Sequence, residues 1–226
     1  MRHTFVLLLT IAASFAFPLG QLRAVEPALP LLLNETFDAG AAAWQPTDAD
    51  AWKIAETPHG KVYSLWKQSK YAPPHRSPVN FALLKQPVVT DFALQAKVQS
   101  TIKDYAHRDM CLVFGYQDPA HFYYVHFGKE TDDRANQIFI VNGAPRIKIS
   151  TKTTAGTPWD DAWHTVRVTR DVQSGLIEVF FDDLATPAMT ATDKSFAWGQ
   201  VGVGSFDDIG NIDDVQLWGT VKKADK

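Results

Sequence analysis

Between His107 and Phe127 the chain reads HRDMCLVFGYQDPAHFYYVHF, two strand-like apolar runs joined by a Gln-Asp-Pro turn. Into those runs are set His107, Arg108, Asp109, His121, Tyr123, Tyr124 and His126. Imidazole and carboxylate exchange protons near neutral pH, guanidinium pairs with oxyanions, and phenol offers both a ring face and a hydroxyl. Such groups suit a site for a polar ligand, in which Tyr124 stacks on the ligand while His126, Asp109 and Arg108 hydrogen-bond it. They also suit acid–base chemistry, with His107, Asp109, Tyr124 and His126 as the candidate catalytic groups and Arg108 neutralising a carboxylate. The plainer alternative is that Arg108 and Asp109 form ion pairs where a strand starts and the histidines are hydrogen-bonded sheet residues.

Strand alternation decides which of these can meet. It sets Phe122, Tyr124 and His126 on one face and His121, Tyr123, Val125 and Phe127 on the other. Arg108 and Asp109 likewise point opposite ways, so the common-face subset is His107, Asp109, Tyr124 and His126. Register between strands is not readable from the chain. A second constellation is Tyr71-Ala-Pro-Pro-His75-Arg76-Ser77-Pro78-Val-Asn80. Its prolines stiffen a loop whose His75 and Arg76 would form a rim over a binding face, or would simply block edge pairing.

The elements that must hold these residues are strands. Phe92, Leu94, Ala96 and Val98 alternate with more polar neighbours, as do Val166 and Val168, Ile177 to Phe181, and Ile147 with Ile149. Three runs, 112–116, 122–127 and 137–141, are apolar on both faces and belong in central positions. Turn signals separate the runs at Asp118-Pro119, Asn142-Gly143-Ala144-Pro145 and Ser174-Gly175. No stretch offers a capped amphipathic helix. The expected fold is all-β, a two-sheet antiparallel jelly-roll sandwich.

Residues 1–24 read as a signal peptide: Arg2, an apolar run from Phe5 to Phe17, then Leu22-Arg23-Ala24 with cleavage expected after Ala24. The run is too short for a bilayer span. Residues 25–226 would be a single secreted or periplasmic domain with no membrane contact after cleavage. With 22 basic against 25 acidic residues and no basic stripe, nucleic acid is not an expected partner. The lone Cys111 cannot form an internal disulfide and reads as a small buried residue. The tryptophans at 44, 52 and 66 fall in the less regular N-terminal part and are expected to be partly exposed.

Several pieces in order carry a family resemblance: Phe92-Ala-Leu-Gln-Ala-Lys-Val, Leu112-Val-Phe-Gly-Tyr-Gln-Asp, Phe122-Tyr-Tyr-Val, Trp163-His-Thr-Val-Arg-Val, Gly175-Leu-Ile-Glu-Val-Phe-Phe-Asp-Asp, Gly202-Val-Gly-Ser-Phe and Ile212-Asp-Asp-Val. Their sequence resembles the concanavalin A-like lectin/glucanase superfamily, in its laminin-G-like and glycoside-hydrolase-16-like bacterial branches. The resemblance implies a curved jelly roll whose concave face or loop rim often binds glycans. It does not fix an activity. The E-x-D-x-(x)-E strand of the glycoside hydrolase 16 type is missing, and Glu130 and Glu178 stand apart, so the carboxylate pair of a glycosidase is not displayed. In jelly-roll glycan-binding modules the first and last strands often lie together and hold Ca²⁺. By that resemblance, Glu35, Asp213 and Asp214 are the candidate ligands for a structural Ca²⁺, against the alternative of an ordinary acidic turn, and no organic cofactor is expected. The leading expectation is an exported carbohydrate-binding domain recognising a polysaccharide or oligosaccharide through Arg108, Asp109, Tyr124 and His126, with His75 and Arg76 at the rim. The alternatives are a glycoside hydrolase or polysaccharide lyase using the same groups, and a laminin-G-like protein-binding module.

Overall fold

The computed structural model describes residues 28–223. The expected leader, residues 1–24, lies outside the described residues. In chain order the strands are β1 (Leu31–Glu35), β2 (Trp44–Pro46), β3 (Trp52–Thr57), β4 (Gly60–Leu65), β5 (Asn80–Leu84), β6 (Val89–Ser100), β7 (Asp109–Asp118), β8 (His121–Gly128), β9 (Gln137–Asn142), β10 (Ile147–Lys148), β11 (Ser150–Thr153), β12 (His164–Arg170), β13 (Leu176–Phe181), β14 (Met189–Thr192), β15 (Gln200–Ser205) and β16 (Gly210–Val221). They form two antiparallel sheets, as the alternating pattern requires. The nine-stranded sheet runs β11-β14-β13-β12-β6-β16-β4-β3, with β1 also on β16, and the seven-stranded sheet runs β10-β9-β8-β7-β15-β5-β2.

Period-two alternation builds the space between the sheets. Phe92, Leu94, Ala96 and Val98 of β6 and Val166 and Val168 of β12 meet Leu112 and Phe114 of β7 and Tyr123, Val125 and Phe127 of β8 in one buried cluster. The ladder of β16 on β6 is interrupted between Asp213 and Gln216, and Asp214 adopts φ 44°. This bulge takes up an extra residue, so Ile212 and Val215 both reach the core despite their odd spacing. The run containing Ile147 and Ile149 is not one strand: β10 pairs with β9, β11 pairs with β14, and the chain changes sheets between them.

The N-terminal part is better ordered than its composition suggests. Trp44 and Trp52 are buried, contrary to expectation, because Phe37, Trp44, Trp52 and Tyr63 close one end of the sandwich as an aromatic group. Trp66 is exposed, as expected.

One strand governs what stands outside the seven-stranded sheet. Strand β15 lies between β5 and β7, with Val201 and Val203 turned to the core and glycines at 202 and 204 alternating with them. A Cβ on Gly204 would sit 2.0 Å from the carbonyl oxygen of Asn80. Glycine therefore leaves the middle of the outer face without side chains of its own, and neighbours close over it.

Candidate ligand-binding site

The outer face of the seven-stranded sheet carries a second buried cluster: Phe81 and Leu83 from β5, Cys111 and Val113 from β7, Phe122 and Tyr124 from β8, Phe139 and Val141 from β9. Tyr71 from the proline-rich loop packs edge-on to Phe81 at 6.0 Å between centroids. That loop is anchored as well as stiff. Asn80 is fully buried, its amide donating to the Asp208 carbonyl at 2.8 Å and its side-chain oxygen accepting from Ser69 N at 2.6 Å. Val79 N donates to the Phe206 carbonyl, and Arg146 N donates to the Arg76 carbonyl. The sheet face is therefore an aromatic floor under a cover, with a cleft at the end where β7 begins.

Asp109, Tyr124 and His126 do share this face, as alternation required. Yet Tyr124 offers no ring surface to a ligand. It is fully buried and stacked on Phe139 at 5.1 Å, and its hydroxyl accepts from Arg146 Nη1. Asp109 is equally buried. Its carboxyl accepts from Ser205 Oγ at 2.8 Å and from Phe206 N at 2.9 Å, with Cys111 Sγ donating at 3.2 Å. The expectation that these two side chains contact a glycan is thus corrected. They are the foundation of the site, and the groups above them are its surface.

The central group above them is Arg146, which follows the turn Asn142-Gly143-Ala144-Pro145. Its guanidinium lies between the rings of Phe139, at 4.3 Å, and Phe206, at 4.2 Å. Nη2 donates to the Arg134 carbonyl at 2.9 Å, and Nη1 reaches His126 Nδ1 at 3.4 Å. Because Arg146 can only donate, His126 accepts at Nδ1 and carries its proton on Nε2, which faces Asp109 Oδ2 at 3.5 Å. Burial, and then the Arg146 charge, push His126 down to about 3, so it is neutral at physiological pH. His126 therefore sits between Arg146 and buried Asp109, hydrogen-bonded to the first and only near the second, its Nε2 lacking a hydrogen-bond partner.

Burial first, and the neighbouring Asp208 carboxyl second, push Asp109 up to about 8. Asp208 itself accepts from Tyr105 Oη at 2.8 Å and from Asp109 N at 3.0 Å. Oxygens of Asp109, Asp207 and Asp208 all lie within 4.8 Å of one another, the one group of this kind among the described residues. Ca²⁺ takes six to eight oxygen ligands. Here both oxygens of Asp109 and both of Asp208 already accept from protein donors, and His126 presents an N–H and not a lone pair. Only Asp207 is exposed. The set fits a proton held between two buried carboxyls, and does not fit a calcium cage.

The residues first expected to hold Ca²⁺ are placed otherwise. Strands β1 and β16 do pair, with Glu35 opposite Val215. However, Glu35 accepts from Phe37 N at 3.0 Å, Asp214 pairs with Lys97 at 2.7 Å, and Asp213 accepts from Asp214 N at 2.8 Å. Their carboxylates serve the turn and the bulge and form no common ligand group.

Arg108 also leaves the site. It is 2% exposed and points to the end of the sandwich, donating to Ser100 O at 2.8 Å and to Asp161 Oδ1 at 2.8 Å. The plainer alternative, an ion pair at a strand start, describes it. Asp161 is 96% exposed, so it returns to water at little cost when the arginine is removed. The loss then falls mainly on the Ser100 carbonyl and on packing. Arg108→Ala is expected to lower the unfolding free energy by about 2–3 kcal/mol in denaturant titration.

His107 precedes β7, is 42% exposed in its side chain, and pairs through Nε2 with Asp132 at 2.9 Å. Arg76 is exposed, with its guanidinium 5.8 Å from the Phe206 ring, and His75 is half-buried beside it in the loop. A cleft of about 160 Å³ is lined by Arg76, Tyr105, His107, His126, Arg146 and Phe206, together with Arg134 and Asp207. It adjoins a more open groove of about 480 Å³ that shares Arg76, Arg134 and Arg146 and adds Phe139 and Lys148. Tyr105, 41% exposed and fixed at its hydroxyl by Asp208, is the aromatic ring of the cleft with open surface. Sequence reasoning missed Tyr105, Arg134, Arg146 and Phe206. Arg146 carried one usable signal, an arginine directly after a rigid Gly-Ala-Pro turn and beside the central apolar strand.

No protein-family model matches the chain, and no curated protein matches it. Solved structures do. The carbohydrate binding module CBM66 from Bacillus subtilis is similar with a TM-score of 0.56 and 18% identity, covering 84% of this chain and 100% of that one. A Bacillus subtilis protein of unknown function with a galectin-like fold gives 0.57 at 11% identity, covering 86% and 98%. The winged bean acidic lectin complexed with methyl-alpha-D-galactose gives 0.51 at 12% identity, covering 84% and 98%. At these identities the likeness is one of fold, a two-sheet antiparallel jelly-roll sandwich.

Proposed function

We propose that this chain is an exported carbohydrate-binding domain whose saccharide lies in the cleft at the start of β7. The observation that carries the reading is the convergence of Tyr105, His107, Arg76, Arg134 and Arg146 on one opening above a buried aromatic floor. A sugar ring has one polarised C–H face for an aromatic ring and a rim of hydroxyls for forked donors and imidazole. Tyr105 supplies the first, and the arginines and His107 supply the second. Two of the similar structures are titled as a carbohydrate binding module and a galactoside-bound lectin, which supports the same class of ligand.

Recognition is favoured over hydrolysis because the two carboxyls beside the cleft with raised affinity for protons, Asp109 and Asp208, are both buried, out of reach of a glycosidic oxygen. A second reading, β-elimination, has one observation behind it: His107 is open to the cleft and paired with Asp132. In that case His107 would take a proton beside a carboxylate neutralised by Arg146. In this proposal a calcium ion has no structural part. The acidic group of Asp109, Asp207 and Asp208 is instead a support for Tyr105 and for the start of β7.

The test is a panel of neutral and uronic oligosaccharides. At least one is expected to raise the melting temperature by mass action, with no new reducing ends and no absorbance from an unsaturated product. Appearance of the unsaturated product would install the β-elimination reading, and failure of every saccharide to shift the melting temperature would end both.

A further inference from the structure

Arg76, Arg134 and Arg146 meet where the narrow cleft and the open groove join. The other arginines among the described residues are committed to the protein. Arg108 is bound to Ser100 and Asp161, and Arg170 to the carbonyls of Gly175 and Phe196. Arg167 is bound to Gln95. Among the described residues, by contrast, no carboxylate lies within salt-bridge distance of Arg76, Arg134 or Arg146. Nearby acidic groups do not fill this gap. Asp133 is taken by Lys148, and Asp207 lines the same cleft beside the Asp109–Asp208 pair without forming a salt bridge to these arginines.

Three cations brought together without a salt-bridge partner, in a chain whose net charge is −3, repel one another. Arg146 is moreover held rigidly. The Phe139 and Phe206 rings fix its plane, and Tyr124, His126 and Arg134 take three of the five N–H donors that a guanidinium carries. The remaining donors, Nε–H among them, are uncommitted by the protein. A planar fork pre-set in this way matches the paired oxygens of an oxyanion and is poorly used on a lone hydroxyl.

Resting on the carbohydrate reading above, we propose that the saccharide is anionic and that its charged group, a uronic carboxylate or a sulfate ester, is seated across Arg76, Arg134 and Arg146. The neutral part of the ligand lies toward Tyr105 and His107. The charged group lies toward Phe139 and Lys148, on the side of the open groove.

Calorimetric titration of the whole protein with three oligosaccharide classes of similar length, neutral, uronic and sulfated, decides the matter. At least one charged class is expected to bind ten or more times tighter than the neutral class, with the advantage shrinking as salt is raised. Preference for the uronic class identifies the carboxylate as the seated group, and preference for the sulfated class identifies the ester. Arg76→Gln and Arg134→Gln change exposed side chains and should leave the melting temperature in place. Each is expected to weaken the charged ligand about tenfold, as loss of a charge-assisted hydrogen bond does, and to weaken the neutral class by less. Equal affinity for neutral and charged classes, or glutamine variants that bind the charged class as well as the parent, overturns the anion inference and leaves carbohydrate binding standing. Absence of binding by all three classes overturns both.

Discussion

Asp109→Ala is expected to destabilise the fold by about 3–5 kcal/mol in denaturant titration, more than any single contact at the cleft mouth. The size follows from counting what is stranded. Ser205 Oγ, the Phe206 amide and Cys111 Sγ all lose their acceptor, and each buried donor left unpaired costs about 1–3 kcal/mol. The His126 N–H loses its facing carboxyl as well. Asp109→Asn retains an acceptor oxygen and should cost far less at neutral pH. Its pH dependence distinguishes the two explanations of the buried pair. A carboxyl raised to about 8 keeps a proton in the folded protein that the unfolded chain has already released. The folded state then binds more protons over that window, so stability is full below the ordinary carboxylate range and falls as pH rises toward 8. Asp109→Asn removes this slope and should gain on the parent steadily from pH 5 to pH 8. Parallel curves for the two proteins over that range would show that Asp109 is ionised in the fold.

Arg146→Ala should abolish measurable binding of a charged oligosaccharide, a loss of about 100-fold or more, as is usual when a central, desolvated anchor is truncated. The same change removes the guanidinium from between Phe139 and Phe206 and leaves the buried Tyr124 hydroxyl without its donor. A stability loss of about 2 kcal/mol is expected alongside. Arg146→Lys separates charge from shape. A lysine keeps the positive charge but cannot reach Tyr124, His126 and Arg134 together in one plane. Its affinity should therefore fall between the parent and the alanine variant, by calorimetry at matched salt. Recovery of full affinity in Arg146→Lys would mean that charge alone, and not the fork, is recognised.

The legible part of this molecule was the part controlled by local alternation. Phe92 to Val98, Val166 with Val168, and Phe122 to Phe127 declare their inward faces in the chain, and the two sheets follow. So did the shared face of Asp109, Tyr124 and His126. What alternation cannot convey is depth. Tyr124 looked like a stacking platform because nothing local shows that Phe139, Phe206 and Arg146 cover it. Arg108 looked like a ligand contact because its neighbour is Asp109, whereas its partners, Ser100 and Asp161, arrive from β6 and from the loop before β12. The cleft itself draws on five separated segments, around Arg76, Tyr105, His126, Arg134–Arg146 and Phe206. No spacing rule links the five, so only the folded arrangement could join them. The acidic pairs show the same limit: Asp207-Asp208 and Asp213-Asp214 look alike in the chain, but one props Tyr105 beneath the cleft and the other lies in a bulge against Lys97.

The covered aromatic floor has a thermodynamic consequence. Phe122, Tyr124 and Phe139 are already out of water before any ligand arrives, so docking a saccharide above them releases little water from apolar surface. The heat-capacity change that marks apolar burial should be small, and the driving force should be mainly enthalpic. What the floor contributes is rigidity: the guanidinium is held in place in advance, and little motional freedom is left for the ligand to remove.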